Sequence, residues 1–387
     1  LKLGRLIVFL LVFSTLYGAL HFYGFMKARE ALSLRGGPAL ALAIFMGIMV
    51  LAPVIVRILE KSGFHAAARG LAYFGYTWMG ILFLFFSVAL LLDICRFVFH
   101  MTGSILQKPP SGILLSPRVS FFIAFLLSLM IAFYGYFEAL GIRTERLIIK
   151  TTKIPQEIGK LTIAQISDVH LGLIVGEKRL ERILDTIRRE KPDILVSTGD
   201  LLDGQPDNLP VLSEMLRRIE PRHGKFAVTG NHEFYAGIAL SLDFASESGF
   251  VMLRDETKDV EGVIQMAGVD DPAGRRGALS NKPSERELLA GLGRERFTIL
   301  LKHRPEVDQE ALGLFDLQLS GHVHRGQIFP FVLLTKLFYP RISGFFPLDK
   351  QSSLYVNRGS GTWGPPIRFL APPEVTVIEL VHEGKRQ

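Results

Sequence analysis

A chain of 387 residues, half of it aliphatic or aromatic with 29 Phe, is long for one domain and rich enough in apolar residues to include a membrane part. Its net charge of +7 is unevenly spread: residues 1–150 hold 14 Lys+Arg against 5 Asp+Glu, and the remainder 30 against 32. The excess therefore flanks apolar segments, which fits anionic lipid head groups and leaves no basic stripe for nucleic acid, while a single cysteine, Cys95, excludes disulfides and cysteine metal sites.

Four apolar runs, Leu6–Met26, Ala39–Val56, Leu71–Leu92 and Val119–Leu140, are each long enough to cross a hydrocarbon core of ~30 Å at 1.5 Å per residue. Charges collect between them, and Tyr17, Tyr23, Tyr73, Trp78, Tyr134 and Tyr136 lie along them, some near their ends, as interfacial aromatics do. The first run has too long an apolar core for a signal peptide, and no small-x-small cleavage site follows it. Four spans put both flanking segments on one side. With that side inside, nine inner cations (Lys2, Arg5, Arg57, Lys61, Arg69, Arg143, Arg146, Lys150, Lys153) face six outer ones (Lys27, Arg29, Arg35, Arg96, Lys108, Arg118). The asymmetry favours a cytoplasmic C-terminal part. His21 and Asp93 are the few ionisable groups within or at the end of a span, and they form no paired set resembling an ion path. The expected division is residues 1–140 as a four-helix membrane region and 141–387 as a catalytic domain.

From about Gly141 strands and helices alternate. Leu147–Ile149, Leu161–Ile166, Ile194–Ser197 and Phe226–Val228 read as strands. Glu177–Glu190, with Leu180, Ile183, Leu184 and Ile187 on one stripe, reads as an amphipathic helix stopped by Pro192. Pro210–Ile219 and Ile238–Ser248 read as further helices, and Ser284–Ala290 as another between the strands Val263–Ala267 and Phe297–Leu301. Leu317–Leu319, Leu354–Val356 and Val375–Leu380 complete an α/β sandwich with mixed sheets.

Successive strand ends carry residues that bind metals. They are Asp168-Val169-His170, Gly199-Asp200-Leu201-Leu202-Asp203, Gly230-Asn231-His232-Glu233, His303, and Gly321-His322-Val323-His324. An Asp or Asn after one strand is ordinary turn chemistry. Five of the ten histidines gathering at these ends is not. In α/β folds, ligands bind beyond the carboxyl ends of strands, so these segments converge on one crevice. Two ions ~3.5–4 Å apart need about eight ligand positions. Asp168, His170, Asp200, Asn231, His303, His322 and His324 supply them if Asp200 is shared.

In this order the motifs resemble the calcineurin-like metallophosphoesterase superfamily, and within it the bacterial membrane-associated phosphodiesterase branch. Ile163–Gly172 and the segment from Tyr355-Val356-Asn357-Arg358-Gly359 to Pro372-Pro373-Glu374 carry the branch's flavour, and the resemblance spans about Arg143 to Leu380. Val323 stands where Thr is more usual and Arg325 where Gly is; neither change removes a ligand. The resemblance implies an αββα sandwich with two divalent ions (Mn, Fe or Zn). Asp168, His170, Asp200 and His324 would hold one, and Asp200, Asn231, His303 and His322 the other. It further implies attack by a hydroxide shared between the ions, with His232 protonating the leaving oxygen and Asp203 orienting His232. Arg304, Arg325 and Arg358 are candidate phosphate contacts, with solvated surface arginines as the alternative.

After the last histidine, Ile328 to Phe346 forms an apolar and aromatic run with Lys336 and Arg341. It reads either as a buried helix and loop or as a surface that meets a bilayer or an acyl chain. Together with the spans it points to a multi-pass protein of the bacterial inner membrane that contacts lipids. With this run, the family resemblance implies hydrolysis of a phosphodiester or pyrophosphate in a phosphate-containing, lipid-linked substrate such as a UDP-diacylated sugar. A membrane-anchored phosphodiesterase or phosphoprotein phosphatase of broad specificity is the second reading. A non-catalytic receptor or scaffold is the third, and an intact ligand set argues against it.

Overall fold

The computed structural model describes residues 2–107, 115–204, 208–275 and 282–384, apart from the side chains of 2–10 and 275. The chain divides into two compact units, 1–136 with 365–367, and 137–364 with 368–387.

The first unit is helical: α1 (Lys2–Ala31), α2 (Gly36–Lys61), α3 (His65–Ile105) and α4 (Pro117–Leu140). Among the described residues, α2, α3 and α4 are long and apolar enough to cross a membrane. The first expected span, Leu6–Met26, falls within α1, but its opening residues, like Lys2, Arg5 and Lys108, lie outside the described side chains. Small residues let helices approach closely: a Cβ on Gly75 of α3 would stand 3.2 Å from that of Ala52 on α2. Asp93 accepts hydrogen bonds from Lys27 Nζ (2.6 Å) and the Tyr23 hydroxyl (2.7 Å), and Trp78 donates to His21 (2.9 Å). These pairs join residues 57 to 70 positions apart, which periodicity does not reveal.

The second unit begins its sheets at β1 (Arg143–Thr151) and β2 (Lys160–Ile166), followed by α5 (Glu177–Glu190), β3 (Ile194–Ser197), α6 (Leu209–Arg217) and β4 (Lys225–Ala227). Next come α7 (Asn231–Ala236), α8 (Ile238–Glu247), β5 (Val251–Met252), β6 (Glu256–Val260), β7 (Ile264–Gly268), α9 (Pro272–Arg275) and α10 (Glu285–Ala290). The unit ends with β8 (Phe297–Leu301), β9 (Leu317–Ser320), α11 (Val332–Phe338), β10 (Gly344–Pro347), β11 (Ser353–Val356) and β12 (Glu374–His382). Two six-stranded mixed sheets result, in the orders β1-β12-β2-β3-β4-β5 and β10-β11-β9-β8-β7-β6.

The strands that read as continuous apolar runs face each other across one core. Ile163, Val196 and Phe226 from the first sheet pack with Met266, Ile299 and Leu319 from the second. Leu289 of α10 covers the outer face of the second sheet over Ala267 and Leu300. The fold is the expected α/β sandwich. Its parallel runs β2-β3-β4 and β7-β8-β9 position the site, because parallel neighbours end side by side: Ile166 pairs with Ser197, Ser197 with Ala227, and Leu301 with Leu319.

Candidate metal and catalytic centre

The loops that leave these strands are tied to one another before any ligand is considered. The Asp168 amide donates to Gly199 O and the His170 amide to Asp200 O, both at 3.0 Å, and the Gly321 amide donates to His303 O at 2.8 Å. Asp168, His170, Asp200, His322 and His324 all have φ between 46° and 73°, where a side chain costs about 1–3 kcal/mol. Such strain persists only where surroundings impose it, and here it aims five polar side chains inward. A Cβ on Gly230 would fall on Asp200 Oδ1, and one on Gly321 on Ser167 Oγ and Asp168 Oδ2. Glycine is required at both.

Asp168, His170 and His324 form one grouping, and Asp200, His303 and His322 another, each with ligand atoms within 4.8 Å of one another. His170, Asp200 and His232 form a third, so Asp200 belongs to two. His170 Nε2 and His324 Nε2 are 3.0 Å apart, and His322 Nδ1 and His303 Nε2 3.1 Å apart. His303 Nδ1 donates to Thr198 O at 2.8 Å, which aims Nε2 at Asp200 Oδ2, 3.2 Å away. Asn231 Oδ1 and His170 Nδ1 are buried without a hydrogen-bond partner. Buried orphan acceptors are rare in proteins, and Asn231 immediately precedes His232, which belongs to one of these groupings. The residues present fit metal ions.

Protonation separates these side chains by role. Burial and the nearby His232 charge push His170 down to about 3, and burial with the His303 charge pushes His322 down to about 2. Burial and Arg368 hold His324 well below its ordinary value. These three rings are neutral at pH 7. At His232 burial acts downward but the Asp200 and Asp203 charges prevail, raising it to about 9. Its Nδ1 donates to Asp203 Oδ1 at 2.8 Å. At His303 the Asp200 carboxylate likewise overcomes burial and raises it to about 10, so metal binding there displaces a proton. Burial pushes Asp168 up to about 6 although Ser167 Oγ (2.5 Å) and the His322 amide (2.9 Å) donate to it.

Eight of the expected ligand and catalytic residues are thus brought together, and Asn231, the ninth, precedes His232 at the start of α7. Two of the expected phosphate arginines are paired with carboxylates. Arg304 is held bidentately by Asp271, at 2.7 and 3.1 Å. Arg358 is buried between Glu145 and Glu374. Both guanidiniums are engaged by carboxylates. Arg325 is half-buried, in left-handed conformation, with no ion pair among the described residues. Sequence reasoning missed Glu233, whose buried carboxylate accepts from the amides of Gly230 (2.7 Å), Asp200 (3.0 Å) and Leu201 (2.7 Å). Its place in Gly-Asn-His-Glu was the available signal. It also missed Arg368, which is fully buried and donates to five backbone carbonyls and to His324 Nδ1 at 3.0 Å. A lone Arg in a loop gives no such signal.

Residues 161–326 match the calcineurin-like phosphoesterase family. An uncharacterised metallophosphoesterase of Aquifex aeolicus is 39% identical over 67% of this chain and 99% of its own length. One of Campylobacter jejuni is 30% identical over 86% of this chain and 88% of its own, a 342-residue match that extends beyond the sandwich into the helical unit. A zebrafish (Danio rerio) transmembrane protein with metallophosphoesterase domain is 32% identical over 67% of this chain and 62% of its own.

Proposed function

Because this chain belongs to the calcineurin-like phosphoesterase family and is a metal-dependent hydrolase, we propose that it cleaves a phosphodiester or pyrophosphate bond at a dinuclear centre whose ions share Asp200. The observation that carries this reading is the pair of three-residue groupings, Asp168/His170/His324 and Asp200/His303/His322, with the buried Asn231 oxygen left without a hydrogen-bond partner. Asp168, His170, Asp200 and His324 would hold one ion; Asp200, Asn231, His303 and His322 would hold the other. Mn, Fe and Zn all suit this mixed nitrogen and oxygen set. When bound, the two ions supply an activated water as nucleophile and neutralise the phosphoryl oxygens.

The protein's own groups do the rest. His232, protonated through the Asp200 and Asp203 charges, gives its proton to the leaving oxygen as the P–O bond breaks and the water oxygen joins phosphorus. Asp203 accepts from Nδ1 and fixes the ring with Nε2 toward the reacting atoms. Arg325, without an ion pair, is the one expected arginine left to meet phosphate oxygens. A scaffold that merely kept the fold would not need the charged His232–Asp203 pair, which favours catalysis over a receptor.

Two features favour a lipid-linked substrate over a soluble ester. Two residues, Gly141 and Ile142, separate α4 from β1, so the hydrolase sandwich starts next to a segment able to span a membrane. Within the sandwich unit, α11 buries none of its residues, and its C-terminal neighbour Tyr339 packs its ring 5.3 Å from His322. We infer four spans, with α1 as the first, and a cytoplasmic catalytic unit from the nine-to-six excess of inner cations.

The test is turnover of an aryl phosphodiester by detergent-solubilised protein with Mn²⁺. Asp200→Asn is expected to lower kcat at least a thousandfold, because one change weakens both ion sites. Equal activity in the variant would end the two-ion reading.

A further inference from the structure

His232 is flanked by two aromatic side chains that the hydrolytic chemistry does not require. The Tyr235 ring centre lies 5.4 Å from the imidazole with planes at 66°, and that of Trp363 6.1 Å away at 75°. Both are mostly exposed, Tyr235 by 63% and Trp363 by 53%. Large aromatic surface left in water beside a proton donor marks a binding surface rather than a core.

Trp363 is held there deliberately by the backbone. Gln327 Nε2 donates to Trp363 O at 2.8 Å, and the Trp363 amide donates back to Gln327 Oε1 at 2.9 Å. Gln327 is buried, lies three residues after His324 and has φ 55°, so the loop that presents Trp363 is fastened to the loop that presents a candidate ligand. Tyr235 comes from elsewhere in the chain, three residues after His232 on α7. Two segments far apart in sequence thus place aromatic rings, each steeply tilted to the imidazole plane, beside His232. The aliphatic surface of the unit is elsewhere: α11 reaches the site through Tyr339 and His322, which sits in a different grouping from His232.

We propose that Tyr235 and Trp363 determine leaving-group specificity, forming a stacking surface for a planar aromatic group, such as a nucleobase, carried on the oxygen that His232 protonates. This rests on the phosphohydrolase reading and adds the class of leaving group. Aromatic faces stack on any planar π-system, and each such contact contributes a five- to hundredfold preference by alanine substitution. An alkyl or acyl leaving group gains little from them and is better served by the aliphatic side chains of α11.

The test compares two methyl phosphodiesters linked through the same 5′ oxygen, one of adenosine and one of 1-O-methylribose, so that only the base differs. With full-length solubilised protein and Mn²⁺, kcat/KM is expected to favour the adenosine ester about tenfold. Trp363→Ala and Tyr235→Ala are each expected to bring that ratio toward one, and Trp363→Phe, which keeps a ring, to retain most of it. A second readout needs no turnover: in a Trp78→Phe background, leaving Trp363 as the only indole, adenosine 5′-phosphate quenches tryptophan fluorescence and ribose 5-phosphate does not. Equal turnover of both esters by the wild-type protein would overturn the stacking surface while leaving the hydrolase reading intact. Hydrolysis of neither ester, with aryl diesters also untouched, would overturn the hydrolase reading and this inference with it.

Discussion

His170 and His232 lie with ring centres 4.7 Å apart, yet one is held neutral and the other charged. The difference lies in their neighbours. His170 Nε2 is no closer than 3.9 Å to any carboxylate oxygen, whereas His232 Nδ1 is 2.8 Å from Asp203 Oδ1. Removing the Asp203 charge is therefore expected to bring His232 down from about 9 toward its ordinary 6.5. The working form is the protonated one, present below the pKa and lost as pH rises through it, so Asp203→Asn moves the alkaline limb of kcat/KM to lower pH. The His232 ring resonances in metal-free protein report the same shift directly; a limb and resonances that stay in place would remove Asp203 from this role. At this scale the sequence was most legible. Asp-x-His, Gly-Asp-x-x-Asp and Gly-His-x-His place their side chains by spacing within one loop, which can be read without knowing the fold. The pairing of Arg304 and Arg358 was not legible, because their partners Asp271, Glu145 and Glu374 lie 16 to 213 residues away.

At the scale of elements, the ligands converge because β2, β3 and β4 end together and β8 ends beside β9, but loops still have to be held in register. Glu233 does this for two of them. Its carboxylate joins the start of α7 to the Asp200 loop through three amides, which without it would be buried donors with no partner. Each such loss costs about 1–3 kcal/mol. Glu233→Ala is expected to destabilise the catalytic unit by ~3–5 kcal/mol and to lower the metal bound per chain, with Glu233→Gln recovering part of both because one oxygen remains to accept. Thermal unfolding and metal analysis check this, and a variant matching wild type in both would show the loops to be held by the sheets alone. The nine strands that sequence patterning predicts all occur, since buried parallel strands read as apolar runs. Strands β5, β6 and β10 escaped it: β5 has two residues, and β6, Glu256–Val260, is polar and mostly exposed, so neither leaves an apolar or alternating signature.

For the molecule as a whole, the open choice in the sequence was whether the run after His324 is buried or meets lipid, since composition alone serves either. Burial decides against a core role for its helix. Leu337 and Phe338 on α11 are 75% and 79% exposed, Leu333 is 59% and Leu334 52%, and Lys336 adds positive charge among them. Burying one such side chain fully contributes about 1.5–3 kcal/mol. Even half of that for Leu337 and Phe338 together, removed and replaced by charges that anionic lipids repel, amounts to a tenfold effect or more on engagement with a lipid phase. Leu337→Glu combined with Phe338→Glu is therefore expected to lower kcat/KM for a nucleoside-diphosphate diacylglycerol in mixed micelles at least tenfold. Turnover of a water-soluble aryl diester by the same protein should change less than about twofold, because both side chains lie mostly in solvent and neither belongs to a ligand grouping. The ratio of the two activities is the measurement. A parallel loss on both substrates would mean that α11 supports the fold, and no loss on either would place lipid recognition elsewhere in the chain.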